Sequence, residues 1–288
     1  MQKFILVFIL FSTAVFFGCS ELSRTNPYDP SSADYMGITY KGEELYPADF
    51  QIESIVSDGS YIAYAGTKEV YGGCVMKTAS GTPLGLFTGI SDICADDSGN
   101  IYGVDRSENV QKIQNDMFNT ITPLAFTASS GIDSLYIEWM NGNLYISNEY
   151  DNEIYRISDS GGAQLTVPVS VTAQGYFTPG EIFKFNTSVY VVNKLNKKQV
   201  IKYDQNLSNP QVIDFTANII DACIQEGALQ ILSESAVYKT DGTLGVLLKW
   251  GDFGEGPGRI LNGKSIAYNA ADGLIYIQDG STIKKFGE

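Results

Sequence analysis

The sequence predicts an all-β protein: a six-bladed β-propeller whose last blade is closed by a strand from the N-terminal side. Three observations predict it. A strand-turn-strand pattern recurs with a period of about 40–50 residues. Turn-forming and aromatic residues are abundant, with 29 Gly, 18 Tyr and 15 Phe among 288 residues. The last copy of the pattern reaches the end of the sequence directly after its third strand, one fewer than a four-stranded blade needs. Many short strands joined by tight turns account for such a composition better than long helices do. With 44% apolar and 18% charged residues, the chain has ordinary globular composition.

The unit is a short apolar strand, a turn with Gly or Asn, a Tyr-bearing strand, a polar turn, and a third strand ending in Lys, Arg or Tyr. Its copies cover 54–66, 92–113, 136–157, 182–203, 221–240 and 265–286. Ile62, Tyr102, Tyr145, Tyr190, Gln230 and Tyr276 are read as equivalent. Alternation within strands is loose, as expected where both sheet faces are buried between blades. The last copy supplies three strands before Glu288, and a missing fourth would leave an open edge. The strand-like stretch from Tyr35 through Lys41 toward Phe50 is expected to supply it.

The sixth copy and the segment before it run Trp250-Gly251-Asp252-Phe253-Gly254-Glu255-Gly256-Pro257-Gly258-Arg259-Ile260, Ser265-Ile266-Ala267-Tyr268, Asp272-Gly273-Leu274-Ile275-Tyr276-Ile277-Gln278-Asp279 and Ile283-Lys284-Lys285-Phe286. This resembles an NHL repeat, which implies a Gly-rich loop leading into the innermost strand of a propeller blade. The loop's spacing does not match a Walker loop. Its glycines are read as turn-formers that take positive φ.

The N-terminus is of another kind. Met1-Gln2-Lys3 is followed by an uncharged, mostly apolar run from Phe4 to Phe17, then Gly18 and Cys19. The run is short for a transmembrane helix, which needs about 20 residues, and has the form of a secretory signal. Phe16-Phe17-Gly18-Cys19 resembles a bacterial lipobox, which implies cleavage before Cys19 and lipid on its sulfur. Several acyl chains hold a protein on a membrane where one does so only marginally. The expected organisation is a lipoprotein signal peptide at 1–18, a flexible tether at 19–34 and the propeller at 35–288. The expected location is the cell envelope, lipid-anchored and extracytoplasmic, with the outer membrane or cell surface favoured.

Charge and composition exclude several functions. A net charge of −14 repels phosphate backbones and argues against nucleic acid as a partner. With no histidine, Ser-His-Asp, Cys-His and histidine-bound zinc chemistry are excluded.

On a propeller, function gathers at the loops that join outer to inner and second to third strands. Asp92, Asp133, Glu181 and Asp221 each stand just before an inner strand, at the expected channel mouth. Arg106, Tyr150 and Lys194 stand in second-to-third-strand loops as further binding candidates. A ring of carboxylates could bind calcium through oxygen ligands, but turn-capping or solvated acids are the preferred reading, and no metal ligand set is assigned. Asp96-Asp97-Ser98-Gly99-Asn100 is read as a hairpin turn. Cys94 and Cys223 occupy equivalent strands on opposite sides of the ring, too far apart for a disulfide. Tyr136, Trp139, Phe183 and Phe185 are read first as packing between blades.

Two functions follow. The leading one is an envelope-held binding or scaffold module that engages a protein, peptide or glycan through the loop face. The alternative is a propeller enzyme, such as a calcium-dependent lactonase or a lyase. The absence of a catalytic constellation turns the reading away from an enzyme.

Overall fold

The computed structural model describes residues 37–46, 48–77, 83–87, 89–105, 109–114, 117–123, 135–169, 171–172, 175–254 and 257–288. Among these there is no helix, and strands form six antiparallel sheets of four plus one two-stranded hairpin. The six sheets are the blades of a propeller. Their inner strands are Phe50–Ser57, Ile90–Ala95, Leu135–Met140, Pro179–Phe185, Asp221–Gln225 and Gly263–Asn269. The first five blades each use four consecutive strands. The sixth is composite: Gly263–Asn269, Leu274–Asp279 and Thr282–Gly287 are completed by Thr39–Leu45 on the outside. The expected closure is therefore present, and it leaves no open edge between first and last blades.

The core lies between blades rather than within one. Tyr102 and Val104 of blade 2 pack with Ile137, Leu144 and Tyr155 of blade 3. Across the closing seam, Ala267, Tyr276 and Ile283 of blade 6 pack with Phe50, Ile52 and Tyr64 of blade 1. Trp250 of blade 5 is fully buried and meets Phe286 of blade 6 at 5.1 Å between ring centroids. Burial on both faces explains the loose alternation of the strands.

The recurrent second-strand tyrosines bury their rings between blades and carry their hydroxyls to the face opposite the loops. Tyr145 donates to the Gln205 carbonyl at 2.6 Å, and Tyr190 to the Gly242 carbonyl at 3.4 Å, each in the next blade. Tyr102 and Tyr276 donate to Asp96 and Asp272 of their own turns. Cross-strand register corrects one assignment. Tyr102, Tyr145, Tyr190, Gln230 and Tyr276 pair with Cys94, Glu138, Phe183, Cys223 and Ala267. In blade 1 the residue at that level is Ala63, opposite Val56, and not Ile62. A one-residue slip moves a side chain to the other face of the strand.

The Asp96–Asn100 segment is the expected hairpin turn. Asp96 accepts from the Ser98 and Asn100 amides, both at 2.9 Å, and Gly99 takes φ 80°. In the Gly-rich loop, Gly251 takes φ 84°, and a Cβ there would sit 3.1 Å from Ile260. Positive φ in confined space explains glycine at that position.

Candidate functional site

Each inner strand presents one residue to the axis at the same level: Ser54, Asp92, Tyr136, Glu181, Asp221 and Ser265. The register fixes this set, since the residue after each one pairs at an equivalent place on the second strand. In four of the six strands the pairing shifts at this point, with irregularities between Ile52 and Ser54, Ile90 and Asp92, Pro179 and Ile182, and Gly263 and Ser265. A bulge re-aims a side chain without ending the strand.

Two cavities meet at this level. The upper one, on the loop face, has a volume of about 230 Å³ and takes lining residues from all six blades. The lower one, about 280 Å³, is lined by Cys94, Glu138, Lys184 and Cys223, among others. Ser54, Asp92, Glu181 and Asp221 line both and so form the waist between them.

The waist acids also hold the ring together. Asp92 accepts from the Ile137 amide of blade 3 at 2.9 Å. Asp221 accepts from the Ile266 amide at 2.8 Å and the Ser265 hydroxyl at 2.7 Å, both in blade 6. Ser265 in turn accepts from the Ile55 amide of blade 1 at 3.2 Å. A polar side chain in one blade thus meets the following blade's backbone, satisfying donors that would otherwise be buried and unpaired.

Burial dominates the electrostatics. It pushes Asp92 up to about 7, with the nearby Asp221 charge adding to it and bonds from Ile137 and Ser54 opposing it. It pushes Asp221 up to about 6 against bonds from Ser265, Ile266 and Ala222. Glu181 lies well above the usual carboxylate range, through burial and then the charges of Asp92 and Asp221. Desolvation and like charge both disfavour the ionised form. In the lower cavity, burial raises the Glu138 pKa and Lys184 partly offsets it, with the pair 3.5 Å apart. Burial also raises the Cys94 and Cys223 thiols. Cys74, Cys94 and Cys223 are free.

The structure brings four of the sequence-predicted site residues together: Asp92, Glu181, Asp221 and Lys194 all line the upper cavity. Tyr150 is on the same face but does not line it. Cys19, Arg106 and Asp133 lie outside the described residues. Sequence reasoning missed Ser54, Ser265, Lys197 and Lys264, which also line the cavity. Tyr136 lines it too, and packs against the blade 3–blade 4 core. The signal was present as a repeated pair, a polar residue followed by isoleucine: Ser54-Ile55, Asp92-Ile93, Glu181-Ile182 and Ser265-Ile266. Among the described residues, no group of three or more His, Cys, Asp or Glu side chains is placed to hold a metal ion.

Around the mouth, blades 3 and 4 build a rim. Lys194 pairs with Glu149 across the blade seam. Its amide donates to the Thr178 carbonyl at 2.8 Å. Asn193 accepts from the Thr178 and Leu195 amides and donates to the Tyr176 carbonyl. Three apolar side chains stand out from this rim: Tyr176 at 83% exposure, Leu195 at 70% and Tyr150 at 52%. Side chains so exposed on a braced scaffold are available for contact.

No protein-family model matches the chain, and no curated protein matches it. Solved structures do. One is the extracellular domain of a protein described as a hybrid two-component system from Bacteroides thetaiotaomicron. It matches with TM-score 0.54 and 12% identity over 82% of this chain and 32% of that one. A glutaminyl cyclase from Myxococcus xanthus matches with TM-score 0.47 and 14% identity, over 86% of this chain and 95% of that one. A structural genomics protein from Bacteroides thetaiotaomicron gives 0.48 and 17%, over 84% and 60%. The chain spans less than two thirds of either Bacteroides protein. The match to the extracellular domain, at 12% identity, is one of fold, and fold alone assigns no activity.

Proposed function

We propose that this chain is a lipid-anchored envelope protein whose propeller binds a protein, peptide or glycan partner through the loop face. The observation that carries the reading is convergence: all six blades contribute to one cavity on that face, beside a braced rim that exposes Tyr150, Tyr176 and Leu195. Exposed aromatic side chains with limited conformational freedom are frequent energetic anchors of interfaces. The lipobox-like Phe16-Phe17-Gly18-Cys19 supplies the anchor in this reading, and the NHL-like last copy supports descent from a repeat propeller. The wide use of such folds as binding platforms agrees with it.

Site-specific photo-cross-linking in intact cells tests the binding face. A photoreactive residue at Tyr176 is expected to capture a discrete partner, and one at the exposed Asn206 on the opposite face is expected to capture none. Equal capture at both sites, or capture at Asn206 alone, contradicts the reading. For the anchor, mass spectrometry of the protein isolated from membranes is expected to find Cys19 at the N-terminus with lipid on its sulfur; an unmodified Cys19 rules out lipid there.

A further inference from the structure

We propose that the upper cavity takes a small zwitterion, an amino acid or a solute with the same charge pattern. Its ammonium would lie down among Asp92, Glu181 and Asp221, and its carboxylate up toward Lys197 and Lys264. This deepens the loop-face reading and rests on it.

The first argument is the layering of charge with depth. The three acids line both the upper and lower cavities, so they sit at the floor of the upper one. Lys194, Lys197, Lys264 and Glu53 line only the upper cavity, so its open end carries three lysines against one acid. Lys194 is held by Glu149, whereas Lys197 and Lys264 are exposed. A simple cation would meet the lysines on its way in, and a simple anion would meet the acids at the floor. A ligand with positive and negative ends satisfies both layers.

The second argument is an unmet polar group. Ser91, at the irregularity beside Asp92, lines the cavity, and its buried hydroxyl has no hydrogen-bond partner. Such a group is costly when left alone, and a rotamer change at Ser91 would turn the enclosed hydroxyl toward a polar ligand in the cavity and relieve it. The acids differ in the same sense. Asp92 and Asp221 bond the next blade's backbone, while among the described residues Glu181 is bonded by the amide of Ile182 on its own strand. An ammonium among these desolvated acids would offset the cost of ionising them.

The third argument is size. At about 230 Å³ the cavity is smaller than the range of about 300–1,000 Å³ typical of drug-sized ligands. A volume of this order suits one amino-acid-sized solute better than a run of sugars. The Tyr150–Tyr176–Leu195 rim lies outside it and remains available to a larger partner.

Isothermal titration of the full-length chain in detergent tests the proposal, with the twenty standard amino acids, glycylglycine, ethylamine and acetate as probes. At least one amino acid is expected to bind about ten-fold or more tightly than either ethylamine or acetate, the value of one charged hydrogen bond. Tighter binding of glycylglycine would assign the zwitterion to a short peptide rather than a free amino acid. Glu181→Gln and Lys264→Met, each checked for an unchanged melting temperature, are each expected to weaken binding about ten-fold. Binding of ethylamine or acetate as tight as that of every zwitterion overturns the proposal, as does the absence of binding by all probes at millimolar concentration. Partner capture at Tyr176 together with a failed titration would leave the loop-face reading standing and remove only this one.

Discussion

The turn face and the channel of this propeller hold aspartates in opposite physical states. On the turn face, Asp204 sits below the usual carboxylate range because the Ser208 and Asn206 amides bond it, and Asp241 does so because the Thr243 hydroxyl and then the Thr243 and Gly245 amides bond it. Burial works against Asp96, yet bonds from Asn100, Tyr102 and Ser98 still hold its pKa down. In the channel, Asp92 and Asp221 also accept backbone amides, and both are raised. Hydrogen bonding therefore does not separate the two regions; access to water does. An acid that helps pin two blades together at the axis does so at a cost in desolvation, whereas an acid that pins a turn at the surface does not.

The largest effect expected from this contrast is a pH dependence of stability. A carboxyl whose folded pKa lies above its unfolded value contributes stability that is complete below about pH 4 and is lost as the pH rises through the folded value. With Asp92 raised from 3.8 to about 7 and Asp221 to about 6, stability is expected to decline between pH 4 and pH 7. Asp92→Asn keeps an acceptor for the Ile137 amide and removes the charge. At pH 8 it is expected to be more stable than the parent by up to about 4 kcal/mol, an upper bound from the pKa difference. At pH 4 the two should coincide. Urea unfolding at both pH values checks this, and a difference of the same size at both would break the contrast.

A smaller effect separates the seam from the charge. Asp221→Ala leaves the Ile266 amide and Ser265 hydroxyl without their acceptor, while Asp221→Asn leaves one in place. The alanine variant is expected to be less stable than the asparagine variant by about 1–3 kcal/mol at any pH. Equal stabilities would mean that the seam bonds contribute nothing.

Smallest is the turn-face counterpart. Here the folded pKa is depressed, so the contribution is present above the unfolded value and lost as the pH falls through the folded one. Asp241→Ala is expected to lower the melting temperature more at pH 7 than at pH 2.5. A matching loss at both pH values would assign the effect to turn geometry alone.

Much of the architecture was legible in the sequence because its causes are local. The turn at Asp96–Asn100 follows from a short acid before glycine, and the composite last blade follows from a final copy that lacks one strand. The Thr39–Leu45 strand fills that place. The channel was legible only in part. Asp92, Glu181 and Asp221 stand out as acids at the start of their copies, but they lie within the inner strands, and the bulges beside Asp92 and Glu181 decide which side chains reach the axis. A bulge changes facing by one residue and leaves no mark in an alternation already blurred by burial on both faces. Ser54, Ser265 and Lys264 were missed for that reason, and Ile62 was aligned in place of Ala63 for a related one. Pairing across blades, such as Asp92 with the Ile137 amide, depends on ring closure and has no local signature.

The most direct measurement is a carboxyl-carbon NMR titration of the aspartates, with Asp92→Asn and Asp221→Asn used to assign the two channel resonances. Two groups are expected: Asp92 and Asp221 with midpoints near 7 and 6, and Asp96, Asp204 and Asp241 below the ordinary carboxylate range. A single group of midpoints around 4, with the channel resonances inside it, would contradict the account.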